Sequence, residues 1–252
     1  MIRAAVAGVV LVGLVPPAAA APSVVDARTE QPLAGRTIVI DPGHQLGNHN
    51  FPARINRAVP AGGFTKPCNT TGTATNGGYP EATFTWQVSR VLARRLRALG
   101  ATVRLTRHSN RQDRWGPCVD VRGRAGNTIG ADLKLSVHAD GSYAAGARGF
   151  HVIAPPDRAP WTDDIFASSA RLARSVREGL LSRDFVVAAY TAGGDGLDVR
   201  SDLGTLNLSD VPTVMVELGN KRHPAEARVM TSAKGRARYA RGLVAGVRGF
   251  LG

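Results

Sequence analysis

The sequence predicts an α/β domain with a largely parallel sheet. Short β-branched or apolar runs alternate with longer amphipathic stretches along most of the chain. No internal repeat and no linker-like change of composition divides that alternation. At 252 residues there is room for one large domain or two small ones, at roughly 100–200 residues each, and nothing marks a second. A hydrophobic share of 43% supplies a core and excludes disorder as a global description. Only 2 cysteines exclude a disulfide-dense miniprotein.

The elements follow in order. Residues 1–20 read as a secretory signal peptide: Arg3 gives a positive start, Ala4 to Val15 is apolar, Pro16-Pro17 breaks the run, and Ala18-Ala19-Ala20 fits a small-residue cleavage site. The apolar run is shorter than the about 20 residues that span a bilayer, and no other stretch approaches that length. The mature chain is therefore expected to lack a transmembrane span. Residues 21–35 form a short polar leader. Thr37 to Ile40 is a β-branched run between Gly35 and Asp41-Pro42-Gly43, and reads as a buried strand. Residues 45–79 are rich in Gly, Asn, Thr and Pro. That is long for a loop, so it is functional, mobile or carries its own small hairpin.

Pro80-Glu81 opens a helix, because proline suits the first helical position and an acid suits the first turn. Phe84, Val88, Val91, Leu92, Leu96 and Leu99 then recur at three- and four-residue steps until Gly100. Strands are expected at 102–106, at 133–137 ending on His138, at 150–154, and at 213–216 ending on Glu217. Further helices are expected over 112–129, 159–183 and 225–250, the last one basic, with a Gly/Asp-rich loop at 192–198.

Export gives the cysteines and the charge their meaning. An oxidising compartment lets Cys68 and Cys118 join, and two free thiols are the alternative. Lys+Arg 32 against Asp+Glu 19 makes the chain +13; loss of residues 1–20 removes Arg3 and no acid, which leaves +12. Such a balance favours an anionic partner, and outside the membrane that means a wall polymer, a glycan or a lipid head group. Arg236, Arg238, Arg241 and Arg248 are candidates for that contact. Nucleic acid is the weakest partner: the chain is expected to be exported, is 6% aromatic and has no recognition motif.

The chemistry converges at strand ends. Crevices in open α/β sheets lie outside the carboxyl ends of the strands. His44 follows the first strand, His138 closes the third, Glu217 closes the last, and Glu81 opens the strong helix. Each alone has a plain reading as a turn, a helix-dipole partner or a hydrogen-bonded histidine. Together, two imidazoles and two carboxylates suit a zinc hydrolase: three N/O ligands, an open position for water, and a further acid for proton transfer.

Thr37-Ile-Val-Ile-Asp-Pro-Gly-His44, Glu81 at its helix start, Leu135-Ser-Val-His-Ala139 and Val214-Met-Val-Glu-Leu-Gly219 together resemble the zinc-dependent N-acetylmuramoyl-L-alanine amidases of the type 3 class. The chain looks most like secreted mycobacterial members without a wall-binding module. The resemblance runs from about 36 to 250, so 36–252 is expected to be an amidase catalytic domain. It implies a mixed, mostly parallel six-stranded sheet flanked by helices. It implies His44, Glu81 and His138 as Zn2+ ligands and Glu217 as the catalytic carboxylate. The implied reaction is hydrolysis of the amide between the lactyl group of N-acetylmuramic acid and L-alanine in peptidoglycan or its muropeptide fragments.

Arg107, Arg122 and Asn127 also fall where that family has similar residues. Gln45-Leu46 stands where glycines commonly follow the first motif, and Asn220-Lys-Arg-His-Pro224 replaces an aromatic-rich stretch. The segment 146–160 is too short for the long helix that blocks the site in some relatives, so an open cleft is expected. His49, His108, His151 and His223 carry no assigned role. Secretion to periplasm or cell wall, a monomer, and a part in wall turnover or cell separation complete the expectation. A zinc peptidase acting within the stem peptide and a non-catalytic wall-binding protein are the alternatives.

Overall fold

From Thr37 the chain runs through β1 (Thr37–Pro42), a short helix α1 (Pro52–Ile55), the strands β2 (Ala58–Pro60) and β3 (Thr65–Pro67), and then α2 (Glu81–Ala98) and β4 (Thr102–Leu105). It continues through α3 (Val119–Arg124), β5 (Leu133–Asp140), β6 (His151–Ala154), α4 (Phe166–Leu181) and β7 (Leu197–Val199). α5 (Gly204–Asn207), β8 (Thr213–Asn220), α6 (Pro224–Thr231) and α7 (Ala233–Leu251) complete it. This computed structural model describes Gln31–Gly252 and, at the extreme N-terminus, Met1, Ile2, Ala4, Ala5, Ala7 and Gly8. The signal-peptide reading of 1–20 and most of the leader 21–35 rest on residues outside the described ones.

Six strands form one sheet in the order β4-β1-β5-β8-β6-β7. Every neighbouring pair is parallel except β6 and β8, which run antiparallel. This is the single α/β domain with a mixed, mostly parallel sheet. Successive residues of a strand point to opposite faces, so each strand divides its side chains between two environments. Ile38, Ile40, Leu133, Leu135, Val137, Val214 and Val216 share one face with Phe84, Val88, Leu92 and Leu96 of α2, Leu172 and Val176 of α4, and Leu243 and Val247 of α7. Each such side chain contributes about 1.5–3 kcal/mol on burial.

The other face carries Asp41, Lys134, Ser136, His138, Asp140 and Glu217, by the same alternation. Its apolar patches are small: Val39 with Ala131 and Val211, and Ile153 with Leu206 and Met215. The short helix α5 packs on α3 and β8 and helps cover this side. The sheet is thus greasy on one side and polar on the other, and the polar side is where the site forms.

The structure differs from the sequence reading in five places. The helix expected over 112–129 is formed only at Val119–Arg124. Pro117 has no backbone N–H to give, so it is tolerated before a helix and not within one. The helix expected from 159 begins at Phe166. Ahead of it, the Thr162 hydroxyl donates to the Pro156 carbonyl at 2.6 Å, which offers the backbone a local alternative to helix. The basic helix expected over 225–250 is two helices, because Ser232 caps α7 by accepting from Gly235 N at 2.9 Å. The loop expected at 192–198 contains the start of edge strand β7, paired with β6. Finally, β5 and β8 run on to Asp140 and Asn220, so His138 and Glu217 lie within strands, opposite one another in register. The long segment 45–79 does carry a hairpin, β2–β3.

α4 and α7 make close backbone contact. A Cβ on Gly179 would lie 2.3 Å from the Gly246 nitrogen, so the glycine sets the spacing of the two helices. Gly179→Leu is expected to lower stability by about 1–3 kcal/mol through overpacking, read as a fall in the urea midpoint at unchanged slope. A midpoint equal to the parent's would show that the helices can part without cost.

Candidate active site

The site begins with a buried ion pair. Asp41 and Arg122 are both buried, with Arg122 Nη1 at 2.5 Å from Asp41 Oδ1. Ser136 Oγ donates to Asp41 Oδ2 at 2.7 Å, and the Thr106 hydroxyl donates to Oδ1. Burial alone would push the Asp41 carboxyl up; the Arg122 guanidinium and the two hydroxyls outweigh it and hold the group at about 2. Arg122 then reaches the carbonyls of Pro42 at 2.7 Å and His44 at 2.8 Å. Arg107 donates to Pro42 O at 3.0 Å and to Ala82 O at 2.7 Å, and Thr85 Oγ1 donates to Gly43 O at 2.8 Å. The turn after β1 is therefore clamped to α2 and α3 through its carbonyls.

That clamp supports an unusual backbone. His44 has φ of 58°, in the left-handed region that non-glycine residues rarely occupy. One residue earlier, a Cβ on Gly43 would lie 2.4 Å from His138 Cε1. Only glycine lets the two imidazoles approach, and their ring centroids are 4.9 Å apart, edge to face.

Glu81, buried at the first turn of α2, sits between the rings. Its Oε1 lies 3.1 Å from His44 Nε2 and 3.0 Å from His138 Nδ1, and accepts from Ala139 N at 3.2 Å. Its Oε2 accepts from Thr73 N at 2.9 Å. His44 Nδ1 faces the Thr70 carbonyl at 3.1 Å. A proton donated there leaves the Nε2 lone pair pointing at a carboxylate oxygen, two acceptors that a cation between them reconciles. The candidate ligand atoms of His44, Glu81 and His138 lie within 4.8 Å of one another, so the group is placed for a metal ion. Two imidazoles and one carboxylate are a donor set that zinc takes in hydrolases. Burial depresses His138, against the pull of Glu81, and favours the neutral ring that a metal ligand requires. Burial would raise Glu81, but the two imidazoles overcome it and keep the carboxyl well below its usual range.

Glu217 is the register partner of His138 across β5 and β8, so both side chains leave the same face. Its Oε2 is buried with no hydrogen-bond partner. Burial, then the charges of Glu81 and Asp140, push its pKa well above the usual carboxylate range, with Arg200 opposing. All four residues line one cavity of about 460 Å³, whose wall also includes Thr70, Thr73, Asp140, Thr205 and Met215. Cys68 and Cys118 are joined, tying the segment that carries Thr70 to the start of α3. Asn69 Nδ2 donates to Pro117 O at 2.7 Å, and Val119 N to Cys68 O at 2.7 Å, on either side of the bond.

All four sequence-selected residues are brought together. Arg107 and Arg122 grip the His44 turn, whereas Asn127 lies outside the site and bonds Leu208 O at 3.0 Å. Sequence reasoning passed over Asp140, whose Oδ2 accepts from Tyr190 at 2.8 Å, and Lys134, whose ammonium bonds the carbonyls of Arg122 and Thr205 at 3.2 and 3.0 Å. The signal was present: Lys134, Ser136, His138 and Asp140 alternate with apolar residues and so share a face. Thr70 and Thr73 carried no such signal, because their roles depend on how the 45–79 segment folds back.

Fold and site together define a class: an α/β domain that gathers a metal-ready donor set and a further carboxylate toward the carboxyl ends of a mostly parallel sheet. Residues 38–249 match the family model for N-acetylmuramoyl-L-alanine amidase, and the chain belongs to that family. It is 44% identical over 238 residues to the N-acetylmuramoyl-L-alanine amidase Rv3717 of Mycobacterium tuberculosis, covering 92% of this chain and 94% of that protein. Among solved structures it resembles the apo form of the N-acetylmuramyl-L-alanine amidase Ami1 from Mycobacterium abscessus, with a TM-score of 0.80, 40% identity, and coverage of 87% of this chain and 100% of that one. Ami1 from Mycobacterium smegmatis matches with a TM-score of 0.80 and 38% identity, over 87% of this chain and 98% of that one.

Asp41→Ala would leave Arg122 buried and unpaired, and is expected to cost about 3–5 kcal/mol, read from the denaturant midpoint. The folded-state pKa is depressed from 3.8 to about 2, so the stability this carboxylate contributes is complete above about pH 5 and is lost as pH falls through about 2. Linkage puts it at about 2 kcal/mol. An alanine variant with the parent's acid profile would show that Asp41 is not the group responsible.

Proposed function

We propose that this chain is a zinc-dependent amidase that hydrolyses the bond between the lactyl group of N-acetylmuramic acid and L-alanine in peptidoglycan or its fragments. The observation that carries the reading is the convergence of His44, Glu81, His138 and Glu217 on one cavity in a member of this family. His44, Glu81 and His138 would hold the zinc, through Nε2, a carboxylate oxygen and Nδ1. Bound zinc supplies Lewis acidity and lowers the pKa of its water toward about 7. Thr70, Thr73 and Ala139 orient the ligands from behind, by accepting from His44 and donating to Glu81.

Glu217 moves the protons. Its unpartnered oxygen takes the proton of the attacking water and then delivers it to the departing amine of L-alanine. A raised pKa suits both tasks, since the group is a stronger base when ionised and holds the transferred proton long enough to pass it on. Glu81 is the one carboxylate among the three candidate ligands, so it would neutralise only part of the charge of a divalent ion.

The reading includes a division of the chain into a signal peptide at 1–20, a leader at 21–35 and the catalytic domain at 36–252. The enzyme works outside the cytoplasmic membrane, in periplasm or wall, as a monomer in wall turnover or cell separation. No helix among the described residues is long and apolar enough to cross a membrane. The basic charge draws it to anionic wall polymers.

Two results are expected. Glu217→Ala should abolish turnover while the protein still binds zinc, measured by metal analysis beside an assay of peptide release; parental activity in a zinc-loaded variant would remove Glu217 from the mechanism. Chelation should abolish activity and zinc should restore it, with mass spectrometry of digests showing intact stem peptide freed from glycan. Products cut within the peptide would point to a peptidase instead.

A further inference from the structure

Asn220, Arg222, His223 and Pro224 form one wall of a second cleft of about 190 Å³. Asn76, Ser142 and Tyr143 form another. The Arg222 guanidinium stacks on the Tyr143 ring, 4.5 Å from its centroid, and Tyr143 is 78% exposed. Arg222 Nη1 donates to the neutral amide oxygen of Asn76 at 3.2 Å. Among the described residues no carboxylate lies within ion-pair distance of Arg222. Glu226 is already engaged, accepting from Gly149 N at 3.0 Å and Asn220 N at 2.8 Å. Arg222 Nε and His223 Nδ1 are both buried without a partner.

The cleft is built. Asn220 Nδ2 ties the opposite wall by donating to Ser142 O at 2.9 Å and Ala147 O at 2.8 Å, while its Oδ1 accepts from Arg222 N at 3.0 Å. A cation held on an exposed ring by neutral partners, with no carboxylate to pair it, is suited to an anion with planar oxygens. Glu217 and Asn220 lie three residues apart on β8, a span of about 10 Å, and Arg222 and His223 follow in the turn beyond it. Three residues of extended peptide cover that span, which puts the cleft at or beyond the third residue.

We propose that Arg222 anchors a subsite, lined by His223, for a carboxylate on the peptide side of the substrate, at or beyond the third residue from the amide that is cut. This rests on the amidase reading, and charge chooses the side: the lactyl carboxyl of the sugar is consumed in the scissile amide, so free carboxylates belong to the peptide. Arg222 is then a specificity residue, and its contact is made equally in the ground and transition states, which places its effect in KM.

The test uses the full zinc-loaded protein and two soluble substrates, an N-acetylmuramoyl tripeptide with free carboxylates and the same compound with them amidated. The parent should show a KM about tenfold lower for the acid form, the size expected of one charge-assisted contact. Arg222→Gln should bring the ratio to about one. Arg94→Gln, which removes an exposed charge from α2 on the apolar side of the sheet, should keep the parent's ratio. An unchanged ratio in Arg222→Gln, or no preference in the parent, overturns the subsite. Calorimetric titration with the free tripeptide and its amide reads the same preference without turnover. Failure to cleave either substrate would therefore strike the amidase reading, while equal affinity for the two peptides would strike the subsite.

Discussion

The arrangement depends on one buried ion pair. Asp41 at the end of β1 meets Arg122 on α3 with both groups out of water. Such a pair is a poor source of net stability, because desolvation offsets much of the attraction. Its value here is positional. With one nitrogen on Asp41, Arg122 has donors left for the carbonyls of Pro42 and His44, and these hold the turn in which His44 takes a left-handed conformation. The first imidazole thus owes its place to a charge pair that grips its backbone carbonyl and not its ring.

The sheet makes the pair affordable by keeping its two jobs on separate faces. One face buries the aliphatic side chains under α2, α4 and α7, and carries the folding energy. The other collects Asp41, Lys134, Ser136, His138, Asp140 and Glu217. Lys134 shows what that demands: its buried ammonium survives by bonding carbonyls of Arg122 and Thr205, and burial still lowers its pKa to about 7. The same bonds fasten α3 and α5 over the polar face. Polar groups that would be a liability in an ordinary core here serve as the frame of the site.

Much of this was legible in the chain. Period-two alternation in 133–140 and 213–220, the apolar stripe of α2 and the Pro80-Glu81 helix start are local signals, and they located three of the four cavity residues on the correct elements. Less legible were boundaries set by competition. Pro117 and Ser232 shortened or divided expected helices, and the edge strand β7 is too short to show alternation against its glycine-rich approach.

What the sequence determined by itself was therefore the alternation of strands and helices, the identity of the polar residues near strand ends, and the family they resemble, because each of these is written in spacing along the chain. Only the tertiary structure decided that Glu217 lies beside His138 in register, that Thr70 and Thr73 reach back to His44 and Glu81, and that Arg222 stands over Tyr143 without an acidic partner. Those are contacts between residues far apart in the chain. Register, loop path and the pairing of buried charges are fixed by how the whole molecule packs, and no local pattern encodes them.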